Sequence, residues 1–270
     1  MKIKSIGVIG TGNMGEAIIR GILNEKLVSP SKVFVYDVIS KKPAALKKEL
    51  KINWVKQLEK LVQQSDVILL AVKPQNLSDI AKQIKSVNKK KLRIISILAG
   101  VTIKTLKDSL GKNSKVVRCM PNLAATVGES MTAVTGDKQL LSTACAVFEC
   151  CGEVITLKED FFNLITALSG SGPAYYFLLM ELVTKEARKR GLSSKQALLV
   201  AKQTAKGASI LASESVLDPG TLKERVTSKG GTTEAALNVF KQKKFNSIFA
   251  KAIDSAIKRG EKLGKIKKGA

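Results

Sequence analysis

The feature that most constrains the fold is a succession of short Val-, Ile- and Leu-rich runs in the first part of the chain. Each run is followed by a polar or helix-forming stretch. Unbroken apolar strands separated by helices are typical of a parallel sheet covered on both faces. The pattern predicts strands at residues 3–9, Val33–Tyr36, Ile52–Val55, Val67–Val72, Leu92–Leu98, Val116–Cys119 and Val154–Leu157. We therefore expect a doubly wound α/β domain over residues 1–158.

The strand pattern stops near residue 158, and the remainder of the chain is predicted to be entirely helical. Helical spacing covers Phe161–Leu168, Pro173–Arg190, Lys195–Ser213, Thr221–Thr227, Thr232–Phe240 and Phe245–Leu263. Asp218 before Pro219 predicts one helix start, and Ser193 or Ser194 predicts another, because such side chains cap free backbone amides. These helices carry more Ala, Leu and Val than a solvent-facing pair requires. We expect an all-α C-terminal domain over residues 159–270 that is buried in part against another subunit.

Histidine is absent from all 270 residues. This excludes a Ser-His-Asp triad, a histidine general base and a histidine-ligated zinc. No two cysteines form a C-x-x-C pair, so we expect no metal site and free, buried thiols in a reducing cytoplasmic compartment. The four are Cys119, Cys145, Cys150 and Cys151. No apolar run approaches the ~20 residues that a membrane span needs, so we expect no membrane partner.

The net charge of +24 raises the question of nucleic acid. The basic residues are spread over both parts of the chain and are mostly Lys, which reads bases and clamps phosphate less well than Arg. Aromatic residues make up 4% and do not alternate with basic ones, so no stacking platform is predicted. We expect a lysine-rich solvated surface and no nucleic-acid partner. The alternative is a dinucleotide-binding regulator that docks on nucleic acid through this positive surface.

The segment Gly10-Thr11-Gly12-Asn13-Met14-Gly15 fits the G-x-G-x-x-G pattern between a predicted strand and a predicted helix. That context favours a Rossmann-type dinucleotide site over a glycine turn without a ligand. Gly10 allows the tight turn, Gly12 lets the backbone approach a pyrophosphate, and Gly15 lets helix and strand pack closely. The amino terminus of the helix then offers N–H donors to the phosphates.

Asp37 ends the second predicted strand, 22 residues after Gly15. A carboxylate at this position accepts hydrogen bonds from the adenosine ribose and repels a 2′-phosphate, which favours NADH over NADPH. Against that, Ser40, Lys41 and Lys42 follow closely and could hold the phosphate of NADPH. The alternative role of Asp37 is that of a strand-end or turn residue.

Three further segments are less generic. Ala71-Val72-Lys73-Pro74-Gln75 ends the fourth predicted strand, and Leu168-Ser169-Gly170-Ser171-Gly172-Pro173-Ala174 opens a long helix. Thr227-Ser228-Lys229-Gly230-Gly231-Thr232-Thr233 is a second glycine turn before a helix. Together with the dinucleotide motif they resemble the pyrroline-5-carboxylate reductase family over essentially the whole chain. The resemblance implies a Rossmann domain, an all-α domain that joins two chains into a dimer or larger homo-oligomer, and reduction of a cyclic imine acid to L-proline by NADPH or NADH.

The resemblance also implies roles for individual residues. The pyrophosphate would lie along Ile9, Gly10, Thr11, Gly12, Asn13 and Met14, with Gly15 completing the cofactor-binding motif, and the adenosine ribose would lie at Asp37. The nicotinamide would be lined by Ala71, Val72, Lys73, Pro74, Ala99 and Gly100, with Met120-Pro121-Asn122 beside the reacting centre. The substrate carboxylate would bind Gly230, Gly231 and Thr232, and its ring nitrogen Thr233, the catalytic residue. Glu159 matches a family position near the product.

Some of these residues also admit ordinary structural roles. The Gly230 turn could be a helix start capped by Thr232 or Thr233, and Lys73 a solvated lysine after a strand. Glu159 could be a carboxylate in the first turn of a helix. The chain departs from the family where a Glu often precedes the Pro-Gly pair, since Val216 and Leu217 stand there, and where Lys229 replaces a Pro. Another Rossmann-plus-helical reductase, acting on a β-hydroxyacid or a different cyclic imine, is the competing enzyme hypothesis.

Overall fold

The computed structural model describes residues 3–87 and 91–264. Contacts divide the chain into two compact units. The first, called here the sheet unit, comprises Met1–Gly172 and Ala256–Ala270, and the second, the helical unit, comprises Pro173–Ser255. The domain boundary between residues 158 and 159 stays a prediction.

Among the residues that the structure describes, the sheet unit is built on eight strands, seven of them predicted from the apolar runs. In spatial order they are 3-2-1-4-5-6-7-8, and every neighbouring pair is parallel except the sixth and seventh. The strands are β1 (Ile6–Ile9), β2 (Val33–Tyr36), β3 (Asn53–Trp54), β4 (Val67–Leu70), β5 (Arg93–Ser96), β6 (Lys115–Met120), β7 (Ser130–Gly136) and β8 (Gly152–Thr156). The prediction of a doubly wound α/β fold is confirmed.

Helices cover both faces of this sheet. They are α1 (Asn13–Asn24), α2 (Lys41–Leu50), α3 (Leu58–Gln64), α4 (Leu77–Ser86), α5 (Ile103–Leu110), α6 (Lys138–Glu149) and the short α7 (Phe162–Ile165). Along β4, Val67 and Leu69 belong to one apolar cluster, and Ile68 and Leu70 belong to another. Successive side chains of a strand point to opposite faces, so each face of the sheet has its own core.

The strand β7 was not predicted, and the expectation of an entirely parallel sheet is wrong at this place. Its sequence carries Ser130, Thr132 and Thr135 in place of an apolar run, and β7 runs antiparallel to β6. Ser130 and Thr132 are nevertheless buried, and their hydroxyl oxygens lie 3.3 Å apart. Because hydroxyls that satisfy one another can be buried, this strand lacks the apolar signature on which the prediction depended.

The helical unit contains four helices in addition to most of a fifth, α12, which continues into the sheet unit. The five are α8 (Gly172–Lys189), α9 (Ser194–Glu214), α10 (Pro219–Arg225), α11 (Thr232–Gln242) and α12 (Phe245–Gly264). Ser193 forms a capping box with Gln196 at the start of α9, and Asp218 caps α10 with Pro219 at its first position, as predicted.

One helix prediction was only partly right. The segment predicted as a helix over Phe161–Leu168 contains the four-residue helix α7 and then a π-helical turn over Thr166–Gly170. The Thr166 hydroxyl donates to the carbonyl of Phe162 at 2.6 Å, and the amide of Ser171 donates to the carbonyl of Thr166 at 2.8 Å. Nowhere in residues 3–87 or 91–264 is a helix both long enough and apolar enough to cross a membrane.

Candidate active site

The turn between β1 and α1 forms a tight backbone cradle. Gly10 has φ +99°, a conformation that glycine adopts without the strain of a side chain. A Cβ atom at Gly10 would lie 2.6 Å from the carbonyl oxygen of Ala71, and one at Gly15 would lie 2.1 Å from the carbonyl oxygen of Gly10. Both positions therefore require glycine, because α1 begins in direct contact with the ends of β1 and β4.

Gly12 differs from the other two motif glycines. It is the N-cap of α1, and no heavy atom of the described residues lies within 4 Å of where its Cβ would be. The first amides of α1 have no acceptor within the helix, and Gly12 has no side chain to cap them. An open space beside uncapped helix amides fits a pyrophosphate, which binds helix amino termini through N–H donors and the helix dipole.

Asp37 is held against this turn by three hydrogen bonds. Its Oδ2 accepts from the backbone N–H of Thr11 at 2.7 Å and from the Thr11 hydroxyl at 2.9 Å, and its Oδ1 accepts from the N–H of Ile39 at 3.0 Å. Across the turn, the Lys42 ammonium lies 3.5 Å from Oδ1 of Asn13. The Asp37 carboxylate and the Lys42 ammonium therefore flank the same turn. The choice between NADH and NADPH was predicted to depend on groups of these two kinds.

The end of β4 lies beside the cradle. The N–H of Ala71 donates to the carbonyl of Ile9 at 2.8 Å, and a methyl of Val72 is 2.9 Å from where a Cβ of Gly10 would be. Lys73 is extended, and Pro74 begins a short 3-10 turn. The structure therefore brings Ala71 and Val72 to the β1 turn, with Lys73 and Pro74 following along the same edge.

The end of β5 continues this edge. The N–H of Ile97 donates to the carbonyl of Leu70 at 3.1 Å, which places the residues after β5 beside the residues after β4. Gly100 has φ +77°, and the N–H of Val101 donates to the carbonyl of Leu98 at 3.3 Å, so Ala99 and Gly100 form a tight turn. Thr102 then caps α5 by accepting from the N–H of Thr105.

The loop Met120–Asn122 after β6 contacts the segment that contains Ser169 and Gly170. The Asn122 side-chain amide donates to the Ser169 hydroxyl at 3.3 Å, and the Asn122 Oδ1 caps the following turn. A Cβ on Gly170 would lie 2.7 Å from the Met120 Cε. The loop that the resemblance places beside the reacting centre is thus packed on the segment of Ser169 and Gly170.

Glu159 lies in a short turn before α7, and its Oε1 accepts two hydrogen bonds. One comes from the Arg118 guanidinium at 3.1 Å and the other from the backbone N–H of Ile103 at 2.8 Å. With Gly100, Thr102 and neighbouring polar residues, these side chains line a cavity of about 400 Å³. Glu159 is therefore more than a carboxylate in a helix turn, since it bridges β6 and α5.

The second glycine turn lies in the helical unit, where Gly231 is the N-cap of α11 and Gly230 has φ +72°. The alternative role of this turn, a cap by the side chain of Thr232 or Thr233, is therefore wrong. The N–H of Gly230 donates to Oε2 of Glu234 at 2.7 Å, and that of Gly231 donates to the carbonyl of Ser228 at 2.9 Å. The amides of Thr232 and Thr233 belong to the first turn of α11, where the helix itself supplies no acceptor.

Comparison with known proteins finds relatives that match 98% of the chain. Residues 159–263 match a family model described as pyrroline-5-carboxylate reductase dimerisation, and residues 5–100 match one described as NADP oxidoreductase coenzyme F420-dependent. A protein named pyrroline-5-carboxylate reductase from Methanosarcina acetivorans is 35% identical over 269 residues, which are 98% of this chain and 100% of the relative. The chain belongs to the pyrroline-5-carboxylate reductase family.

Solved structures of relatives agree. A pyrroline-5-carboxylate reductase structure from Coxiella burnetii is 32% identical, with a TM-score of 0.90 over 98% of this chain and 100% of that one. A Plasmodium falciparum pyrroline carboxylate reductase structure with NADP bound is 29% identical, with a TM-score of 0.86 over 98% of this chain and 100% of that one. The predictions of the family and of an NAD(P)-dependent oxidoreductase are confirmed.

Asp218 stands directly before the Pro-Gly pair, where its side chain is bonded to the first turn of α10. Its Oδ1 accepts from the N–H groups of Gly220 and Thr221, and its Oδ2 accepts from the Thr221 hydroxyl at 2.6 Å. These bonds, that of the Thr221 hydroxyl first, lower the pKa of Asp218 below its ordinary value. Its carboxylate is thus a helix cap of α10.

Sequence reasoning missed Arg118, which lies in β6 within the apolar run Val116-Val117-Arg118-Cys119. A charged residue inside a buried strand was the available signal, because such a group is buried only with a partner. The cysteines are free, as predicted, although only Cys119 and Cys151 are fully buried. Burial raises the pKa of Cys150 to about 11 and that of Cys151 to about 12, so both thiols stay protonated at neutral pH.

Proposed function

We propose that this chain reduces the C=N bond of 1-pyrroline-5-carboxylate to L-proline with NADPH or NADH, the last step of proline synthesis. The observation that carries the proposal is the match of 98% of the chain to a relative of that name at 35% identity. The intact glycine cradle supports it, because a reductase of this kind must hold a dinucleotide.

The dinucleotide would lie along the carboxyl edge of the sheet. Ile9, Gly10, Thr11, Gly12, Asn13, Met14 and Gly15 would hold its pyrophosphate, and Asp37 the adenosine ribose. Ala71, Val72, Lys73, Pro74, Ala99 and Gly100 would line its nicotinamide. The order of these residues along the sheet supports this placement, because the carboxyl ends of β2, β1, β4 and β5 are neighbours. Ligands of such folds bind at the carboxyl ends of the strands.

Binding of the substrate falls to the turn Gly230–Thr233. The N–H groups of Gly230 and Gly231 already have acceptors within the helical unit. The amides of Thr232 and Thr233 would therefore be the main donors to the substrate carboxylate, with both glycines shaping the turn. The Thr233 hydroxyl can donate or accept, so it can follow a ring nitrogen whose protonation changes. Glu159 would act near the product.

The chemistry requires little acid–base help from the chain, in agreement with the absence of histidine. The bound dinucleotide supplies the hydride. The imine carbon gains a C–H bond, the π pair moves to nitrogen, and the nitrogen carries a proton taken from solvent. The chain's contribution is orientation and a few hydrogen-bond partners.

A homodimer, or a larger homo-oligomer, would form through the helical unit. Two observations support this assembly: the match to the dimerisation family model and the exposed apolar side chains of α8 and α9. Those of α8 include Tyr176, Phe177, Leu178, Leu179, Leu182 and Val183. Contiguous apolar surface of this kind marks a protein interface.

The direct test is a purified-enzyme assay that follows oxidation of NADPH and NADH with 1-pyrroline-5-carboxylate. A parallel assay with NAD⁺ or NADP⁺ and 3-hydroxy acids tests the competing hydroxyacid enzyme. We expect turnover of the imine and none of the hydroxy acids. An enzyme that binds dinucleotide and leaves the imine unreduced would refute the proposed substrate.

Replacing Thr233 tests the proposed role of its hydroxyl. We expect Thr233→Ala to lower kcat about a hundredfold, the usual loss when one preorganised hydrogen-bonding group at a reacting atom is removed. Dinucleotide binding, measured by fluorescence titration, should change little. Thr233→Ser keeps the hydroxyl and is the matched control, with kcat close to wild type. Equal kinetics for the alanine and serine variants would remove Thr233 from the mechanism.

A further inference from the structure

The Arg118 guanidinium is buried and contacts two defined groups, the Glu159 carboxylate and the Phe162 ring. The Arg118 side chain is 4% exposed, and its guanidinium lies 4.7 Å from the centre of the Phe162 ring. Its Nη1 donates to Oε1 of Glu159 at 3.1 Å. Burial lowers the pKa of Arg118, while the hydrogen bond to Glu159 opposes that shift. A guanidinium stays protonated at neutral pH, so this pair is an ion pair inside the sheet unit.

The same Glu159 oxygen reaches the backbone that follows β5. It accepts from the N–H of Ile103, the first residue of α5, at 2.8 Å. This amide is one of the helix donors that have no acceptor within the helix, and a carboxylate at that end also interacts favourably with the helix dipole. Arg118 orients the carboxylate, and the carboxylate fixes the start of α5.

The segment between β5 and α5 is therefore fixed at both ends. At one end the N–H of Ile97 is bonded to the carbonyl of Leu70, and at the other the N–H of Ile103 is bonded to Glu159. Between them lie Ala99 and Gly100, with Gly100 in the left-handed conformation. The turn is also closed by the bond from the Val101 N–H to the Leu98 carbonyl, and both of these side chains are buried, so the Glu159 bond adds a further anchor that sets the position of the turn.

We propose that Arg118 and Glu159 are positioning residues that hold the Ala99–Gly100 turn in place for the nicotinamide end of the dinucleotide. The proposal rests on the proposed function, which assigns that turn to the nicotinamide. It gives Glu159 a role through the backbone of α5, and Arg118 a role through Glu159. Neither side chain needs to touch the cofactor for this role.

The test compares two ligands that differ only at the nicotinamide end. The probes are the reduced dinucleotide that wild type binds more tightly, NADH or NADPH, and the corresponding ADP-ribose or its 2′-phosphate, which lack the nicotinamide. We expect Glu159→Ala to weaken binding of the reduced dinucleotide about tenfold, because a turn that has lost an anchor must be ordered when the ligand binds. Affinity for the ADP-ribose probe should stay within about twofold, because the pyrophosphate and ribose contacts are remote from α5.

Two further variants separate positioning from general stability. Glu159→Gln keeps an oxygen acceptor for the Ile103 amide, so its affinity for the reduced dinucleotide should be closer to wild type than that of Glu159→Ala. It also provides a measurement if Glu159→Ala does not fold. Asp66→Asn is the matched control, because it removes the negative charge from the ion pair of Asp66 with Arg93, 2.7 Å apart at the amino ends of β4 and β5. This control should leave both affinities at wild-type values.

An equal loss for both probes in Glu159→Ala, or no loss for either, would overturn the proposal. The same holds if Asp66→Asn produces the same selective loss. These readouts do not require imine turnover. A wild-type protein that binds dinucleotide without reducing the imine would refute the proposed substrate, while the binding comparison would still decide the role of Glu159 and of the contact through which Arg118 is proposed to act.

Discussion

The sheet unit and the helical unit contain similar kinds of apolar side chain but bury them differently. In the sheet unit, two apolar clusters fill both faces of the sheet. In residues 173–255, all of which the structure describes, the buried apolar side chains are Ala197, Ala201 and Ile253. Long side chains there stay exposed, including Phe177 at 55% and Leu199 at 64%.

This difference separates a unit that completes its own core from one that requires a second surface. Fully burying one Leu or Phe side chain contributes about 1.5–3 kcal/mol, so the helical unit leaves many such contributions unrealised within one chain. A second copy of the same unit would supply the missing contacts. We infer that the sheet unit determines cofactor binding, and that the helical unit determines assembly.

The largest effect is expected from a charge on the exposed apolar face. Phe177→Glu or Leu199→Glu should dissociate the oligomer and lower the free energy of unfolding by about 3–5 kcal/mol, the usual effect of an unpaired charge in a buried interface. Light scattering during size-exclusion chromatography measures the mass, and denaturant titration at two protein concentrations measures the stability.

The matched control for this prediction is Val127→Glu. Val127 belongs to the sheet unit and is 73% exposed, so its exposure resembles that of the helical residues. We expect it to leave the oligomeric state unchanged. If Val127→Glu also dissociated the protein, or if wild type were monomeric, the distinction between the two units would be lost.

A smaller effect is expected from the glycines of the cradle. Gly15→Ala should lower the free energy of unfolding by about 2 kcal/mol, because overpacking costs about 1–3 kcal/mol and the new Cβ would meet the Gly10 carbonyl. Gly12→Ala has open space around the new atom, so its stability should stay within about 0.5 kcal/mol of wild type. Its dinucleotide affinity should still fall, since the methyl group occupies the space proposed for the pyrophosphate.

Thermal unfolding and fluorescence titration measure these two quantities. Both variants should keep the oligomeric state of wild type, because both glycines lie in the sheet unit and assembly is assigned to the helical unit. A Gly12→Ala protein with unchanged affinity would show that the pyrophosphate does not approach this backbone.

The smallest effect is expected at Asp37. Asp37→Ser removes the carboxylate that would repel a 2′-phosphate, so the ratio of kcat/KM for NADPH to that for NADH should rise about tenfold. Steady-state kinetics with both dinucleotides measure the ratio. The comparison variant, Asp37→Asn, keeps an acceptor for the Thr11 amide and hydroxyl but loses the charge. If the ratio did not move in either variant, another group such as Lys42 would decide the preference.

The sequence predicted most of the sheet unit because its strands are apolar and its turns use special residues. The close approaches at Gly10 and Gly15 follow from the motif alone, and the cap at Asp218 follows from its Pro neighbour. The strand β7 escaped because buried hydroxyls carry no apolar signature. The links from Asp37 to Thr11, and from Glu159 to Arg118, join residues far apart in the chain, and no local pattern reveals such pairs.

The helical turn at Gly230 shows a different limit. The sequence indicated a helix start with free amides, and the start is indeed at that place. It could not show that Glu234 turns back to accept from the Gly230 amide, because the choice between that bond and an extended side chain depends on rotamers.

The reversed direction of β7 has a topological effect on the residues that come after β6. In an all-parallel sheet, the chain would leave the carboxyl end of β6, cross one face of the sheet and begin the next strand at its amino end. Here it turns back as a hairpin, and the intervening turn Leu123–Val127 packs on α1. Met120 and Asn122 thereby lead into a turn that packs on the helix whose amino terminus is proposed to receive the phosphates, so one helix braces both the pyrophosphate turn and this loop.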